Sequence, residues 1–151
     1  KMGFNYKLNN LLSCLGIIQL KKLDNFIIKK KKIHDHYKKE FKNMDNLKLL
    51  MPLPNTLSNY WFNVVTFKNL DNISFKKLKL MCKENGIEIR QVWKPAHTQD
   101  YLKKFQQFKI YNSEKLYKKS VCLPSSLRLS KKNLKFVSRK IKNFCQINIK
   151  T

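Results

Sequence analysis

The sequence predicts an α+β fold, a long N-terminal helix followed by a small sheet covered by helices, and three features carry the prediction. Apolar residues recur mostly in steps of three or four from Leu8 to Phe41, which is the period of one helix face. Three short runs, 59–67, 87–93 and 121–123, have the aromatic and β-branched chemistry of strands. Helical patterns return between and after those runs, and the resulting order is that of helices packed on a small sheet.

Each element has its own signal. The first helix is expected over about 8–43, its first half almost free of charge and its second half carrying Lys29, Lys30, Lys31 and Lys32. The uncharged half is expected to be buried between domains or subunits. Gly16 lies inside it, where it costs about 1 kcal/mol relative to Ala, so either another backbone approaches closely there or the cost is tolerated. Pro52, Pro54 and Asn55 end the helical pattern. The strand at 59–67 places Tyr60 and Trp61 on opposite faces, one free to reach a cleft while the other packs under helices. Ser74 is expected to N-cap a short helix that Asn85 and Gly86 close in the left-handed conformation. After the strand at 87–93, Pro95 opens a loop. Helices are then expected near 99–105 and 113–119, followed by the strand 121–123, which Pro124 ends. Ser130 caps a last helix over 131–144 with Leu134, Val137, Ile141 and Phe144 on one face. The organisation read from this is a connecting and interface helix at 1–45 and a small domain at 46–151.

Composition narrows the function. The chain has 151 residues, 42% of them hydrophobic and 28% charged, enough apolar content for one packed core. Its formal charge of +24 would ordinarily put nucleic acid or an anionic membrane first among partners. Only Arg90, Arg128 and Arg139 of the 33 basic residues are arginine, however. Readers of phosphate and guanine gain from the planar fork of arginine, so the excess reads as a lysine-rich solvated surface, and neither nucleic acid nor membrane is the expected partner. A stand-alone lysine-rich module that binds nucleic acid or anionic surfaces is the alternative reading.

Cysteines at 14, 82, 122 and 145 form no CxxC pair and no histidine stands at metal-ligand spacing, so no metal site is expected. An apolar core does not need disulfide staples, and reduced thiols in a cytoplasmic protein are the expectation. Residues 3–10 are too polar for the apolar stretch of a signal peptide. The longest apolar run, 11–20, is about half of what spans a bilayer. His34 and His36 lie about 200° apart around a helix and are expected at the surface. Glu40, Glu84, Glu88 and Glu114 are scattered, with no spacing that pairs them for acid and base work.

Four segments carry a resemblance. GFNYKLNN followed by LGIIQLKKLD resembles the pattern GxNYRxxxxxAxxGxxQLxxLD of the DegT/DnrJ/EryC1/StrS aminotransferases, pyridoxal-phosphate enzymes that aminate nucleotide-linked keto sugars. SNYWFNVV, ENGIEIRQVWKPAHTQDY and VCLPSSLRLSKKN resemble, in order, the family's first small-domain strand, its strand and substrate loop, and its closing strand, turn and helix. The resemblance implies the small domain of the type I aminotransferase fold and a homodimer, with a nucleotide-sugar as substrate and glutamate as the usual amino donor. RQVWK with LPSS is most similar to members that handle N-acetylated UDP-4-keto sugars on the way to nonulosonic acids.

The same resemblance assigns residues. Asn5 matches the asparagine sent across the dimer interface to the cofactor phosphate of the neighbouring subunit; as a plain chain residue it could equally be a turn before the helix. Lys7 stands where the family commonly has Arg, keeping the charge but losing a bidentate grip. Arg90, Trp93, Lys94 and His97 fall in the loop that receives the nucleotide diphosphate and its sugar. By chemistry alone Trp93 is more often a core residue and His97 more often a loop hydrogen-bonder than either is a substrate contact. The family's larger domain, with the lysine that bonds the cofactor, has no counterpart here, and the first residue is Lys1. The chain is therefore expected to be the carboxy-terminal portion of a longer aminotransferase, with no catalytic residue of its own and inactive alone.

Overall fold

In the computed structural model, which describes residues 6–108 and 110–149, the expected first helix is two helices, α1 (Asn10–Leu20) and α2 (Leu23–Phe41). Asn9 caps α1, its side chain accepting from the Leu12 amide at 2.8 Å. Lys22, at φ −102° and ψ 0°, leaves helical geometry between the two. Neither Gly nor Pro marks the break, which is why the periodicity ran through it.

The two helices differ in what they bury. The inward stripe of α2, made of Ile33, His34, Tyr37 and Phe41, is buried, and the helix packs against α5 (Lys131–Asn148) and β1 (Leu47–Leu49). No residue of α1 is buried within this chain, and Leu11, Leu12, Leu15 and Ile18 are all exposed. A Cβ at Gly16 would meet nothing within 4 Å among the described residues, so no described backbone explains that glycine.

The sheet has four antiparallel strands in the order β1, β2 (Asn63–Phe67), β4 (Ser120–Leu123), β3 (Arg90–Gln91). β1 was not expected; its alternation is only one turn of the pleat long, yet Leu47 pairs with Phe67 and Leu49 with Val65. Every β4 residue is buried, as befits a central strand covered on both faces. Both other expected strands are shorter than the sequence suggested. Residues 59–62 are irregular because Tyr60 takes φ 50°. β3 stops at Gln91, opposite Val121, with only Ser120 left of β4 beyond that point.

α3 (Asn72–Glu84) is capped by Asp71, not Ser74: Asp71 accepts from the Ser74 amide at 2.6 Å, and that hydrogen bond holds its carboxyl below the ordinary range. Its far end matches expectation, with Gly86 at φ 65° and the Ile87 amide returning to Cys82. The helix expected near 99–105 is replaced by two single 3-10 turns, Ala96–Thr98 and Asp100–Leu102. α4 (Tyr111–Lys119) and α5 lie where predicted, α5 capped by Ser130. The core joins Tyr37 and Phe41 of α2 to Val65, Phe67 and Val121 of the sheet, Leu78 and Cys82 of α3, and Leu134, Ile141 and Phe144 of α5.

Candidate functional site

The site grows from the irregular stretch before β2. Asn59 and Ser58 turn their side chains back onto the chain, Asn59 Oδ1 accepting from the Trp61 amide at 3.1 Å and Ser58 Oγ from the Tyr60 amide at 3.1 Å. With Tyr60 in the left-handed region, its ring sits 5.0 Å from that of His34 while Trp61 is 62% exposed. One of the adjacent pair thus packs against α2 and the other faces solvent, as expected for that pair, although a positive φ and not strand alternation separates them.

Beneath them runs a chain of polar contacts. His34, expected at the surface, is buried at 3% exposure, its Nδ1 3.0 Å from Asn63 Oδ1. Asn63 Nδ2 donates to Ser125 Oγ at 3.0 Å. Lys30, one turn before His34, donates from Nζ to the Ser125 carbonyl, to Ser125 Oγ at 3.3 Å and to the Trp61 carbonyl at 3.3 Å. Burial pulls the Lys30 amine below its ordinary value. Lys30 therefore fastens the Trp61 segment to the Pro124–Ser125–Ser126 turn that follows β4.

Those two segments wall a cleft of about 590 Å³ whose lining includes Lys30, Trp61, Phe62, Glu88, Arg90 and Ser125. Arg90 is held by Glu88, Oε1 accepting from Nε at 2.9 Å and Nη2 at 2.7 Å. Cys122 lies on the floor with its thiol pushed up by burial, an effect that Arg90 opposes. A second cleft is lined by Trp93, Lys94, Pro95, His97, Leu116 and Tyr117 among others. There His97 Nε2 meets Glu114 Oε1 at 2.9 Å, so one of the scattered glutamates does find a partner through the fold.

An aromatic ridge connects the two clefts. Trp93 packs edge-on against Phe62 at 5.0 Å between ring centroids and stands 6.1 Å from Trp61. At 64% exposure Trp93 is not a core residue. Of the residues that the resemblance assigns to the substrate loop, Arg90 lines the first cleft and Trp93, Lys94 and His97 line the second. Lys7 is exposed and lines neither cleft, and Asn5 lies outside the described residues. Lys30 and Ser125 were not singled out beforehand: one lysine among thirty gives no signal, and LPSS entered only through the resemblance, whereas Trp61 was one of two candidates, with Tyr60, for reaching a cleft. Among the described residues no cluster of His, Cys, Asp or Glu could hold a metal ion, and no helix is long and apolar enough to cross a membrane.

A profile of the DegT/DnrJ/EryC1/StrS aminotransferase family matches residues 1–142. The chain belongs to this family. EpsN of Bacillus subtilis (strain 168), named for a pyridoxal phosphate-dependent aminotransferase, is 31% identical over 137 residues, which are 86% of this chain and 34% of EpsN. GDP-perosamine synthase of Escherichia coli O157:H7 is 27% identical, with 95% of this chain and 38% of that enzyme covered. The Helicobacter pylori aminotransferase PseC, which takes part in pseudoaminic acid biosynthesis, shares the fold: its TM-score is 0.80 at 21% identity, over 97% of this chain and 40% of PseC. The chain spans little more than a third of these relatives, so its α+β unit is one part of the family architecture.

Proposed function

We propose that this chain is the carboxy-terminal part of a pyridoxal-phosphate aminotransferase that aminates a nucleotide-linked keto sugar, with residues 1–45 as connecting and interface helix and 46–151 as small domain. The observation that carries the reading is the family match over residues 1–142; Arg90 on one cleft and Trp93, Lys94 and His97 on another support it. A relative from Campylobacter jejuni (strain ATCC 700819), a UDP-4-amino-4,6-dideoxy-N-acetyl-beta-L-altrosamine transaminase, is 28% identical over 91% of this chain; it supports a UDP-4-keto N-acetyl sugar of nonulosonic acid or surface polysaccharide biosynthesis as substrate.

In this reading pyridoxal phosphate supplies the electron sink for moving the amino group from glutamate to the sugar. Lys30, whose amine burial desolvates, is engaged by Trp61 and Ser125, and the lysine that bonds the cofactor is read as lying outside this chain. That lysine belongs to the large domain which the relatives carry. What this chain contributes is binding: Asn5 to the cofactor phosphate of the neighbouring subunit of a homodimer, Arg90 and Lys94 to the diphosphate, and His97 to the sugar. Lys7 is read as a further substrate contact that keeps the charge of the family's arginine without its bidentate grip. Alone the chain should not catalyse.

The test is amination by the full-length protein that contains this chain, supplied with pyridoxal phosphate, glutamate and a UDP-4-keto N-acetyl sugar, with the amino sugar read by mass spectrometry. Product that depends on glutamate supports the reading. No product with this or with GDP- and dTDP-linked keto sugars overturns it.

A further inference from the structure

We propose that Trp61, with Phe62 and Trp93, forms the platform on which the nucleobase of the substrate stacks, and that Arg90 takes the adjoining diphosphate. The proposal rests on the nucleotide-sugar reading above and names the residue that holds the base.

Exposure is the first argument. The chain has two tryptophans, and both lie on the surface, Trp61 at 62% and Trp93 at 64%, with ring centroids 6.1 Å apart. Tryptophan is largely buried on average, so two exposed indoles beside Phe62 at the rim of a cleft leave a π-surface that none of the described residues covers.

Rigidity is the second. An exposed side chain on a loose loop would lose much freedom on binding, but the Trp61 backbone is held on both sides. Its N–H donates to Asn59 and its carbonyl accepts from Lys30, whose amine is in turn fixed by Ser125. Tyr60 carries the strain of φ 50° and is anchored against His34. A non-glycine residue in that region persists only where its surroundings enforce it, and such positions cluster at ligand sites. The outcome of this scaffolding is that Trp61 faces out, preorganised as a binding residue should be.

Charge is the third. Arg90 lines the same cleft as Trp61, and Glu88 engages only its Nε and Nη2, leaving the Nη1 edge outside that pair. An aromatic surface next to a guanidinium matches a ligand that is aromatic at one end and anionic at the other, which is the chemistry of a nucleoside diphosphate. Stacking accepts any base, so this platform sets class rather than base identity.

The experiment uses UDP as probe and the two tryptophans as reporters. We expect UDP to quench their fluorescence saturably, W61A to weaken UDP roughly tenfold or more, and W61F to weaken it less than threefold. Trp93 remains as reporter in both variants, and far-UV circular dichroism checks their fold. Inorganic pyrophosphate should bind more weakly than UDP and be indifferent to W61A, while R90Q weakens both. UDP binding no tighter than pyrophosphate, or unchanged in W61A, overturns the platform, as does quenching by N-acetylglucosamine but not by UDP. The two proposals fail separately: amination by the full-length enzyme with an unchanged KM in W61A removes the platform and keeps the aminotransferase reading, whereas stacking of UDP without any amination does the reverse.

Discussion

Glu114 of α4 holds the ring of His97, Oε1 2.9 Å from Nε2, and so ties the loop after β3 to a helix seventeen residues further along the chain. The imidazole is mostly covered while the carboxylate is about half exposed. A pair of that kind adds at most about 1 kcal/mol to stability, so its value lies in fixing where the ring stands. In the full-length enzyme, His97→Ala should raise KM for the sugar substrate by one to two decades, the equivalent of about 1.5 to 3 kcal/mol for a hydrogen bond to a charged group. Added pyridoxal phosphate should not restore it. Glu114→Ala should shift KM in the same direction by less and leave the melting temperature within a few degrees of wild type; steady-state kinetics with both variants checks this.

Asn5 is expected to act at a different step. An amide donor bonds an anionic oxygen without adding charge, and losing one such bond weakens retention of the cofactor by a similar one to two decades. Asn5→Ala should therefore lose activity that added pyridoxal phosphate rescues, with KM for the sugar unchanged. If Asn5→Ala and His97→Ala behave alike in both assays, the division of labour is wrong.

How much of this was legible in the residues depends on which interaction fixed each element. The caps at Ser130 and Gly86 were readable because the deciding contact is local. The break at Lys22 was not, since α1 and α2 share a helical pattern and differ in what covers them. His34 was misread for a related reason: helical spacing separates it from His36, but only the tertiary fold supplies Asn63 as partner and Tyr60 as cover. At the site, the loop from Arg90 to His97 was found through family resemblance. Lys30 became recognisable only once α2 and the turn at Ser125 were brought together, a contact between residues 95 apart, and of the adjacent pair Tyr60 and Trp61 it is Trp61 that lines the cleft.

The uncharged face of α1 sets a third expectation. Leu11 and Leu15 are 75% and 51% exposed, with Leu12 and Ile18 beside them, and contiguous apolar surface of this kind marks an interaction site. The 151-residue chain should self-associate at tens of micromolar and bind an apolar dye. Leu11→Lys together with Leu15→Lys should return it to monomer with unchanged helix content, because neither side chain contributes to the core. Light scattering after size exclusion decides the matter; a wild-type monomer without dye-binding surface would contradict it.

Alkaline pH should destabilise the chain through its buried thiols. Burial pushes Cys82 up to about 11 and Cys145 up to about 12 from an ordinary value of 9.0. The folded pKa exceeds the unfolded one, so between them the folded state holds more protons than the unfolded state, and stability falls as pH rises. The contribution is complete below pH 9 and lost progressively from there toward 12. At pH 10 the loss is on the order of 1 kcal/mol for each thiol. Self-repulsion in a chain of charge +24 acts on wild type and variant alike. The measurement is therefore the urea midpoint at pH 7.5, 9 and 10. Cys145→Val should lower stability somewhat at pH 7.5 through imperfect packing, yet flatten the fall between 9 and 10 by about the share of one thiol. A thiol reagent at pH 8 supplies the independent check: Cys14, which is exposed, should react at once, and the buried Cys82, Cys122 and Cys145 only as the chain opens. Rapid labelling of all four without unfolding, or equal slopes in wild type and variant, would show that burial does not govern these thiols.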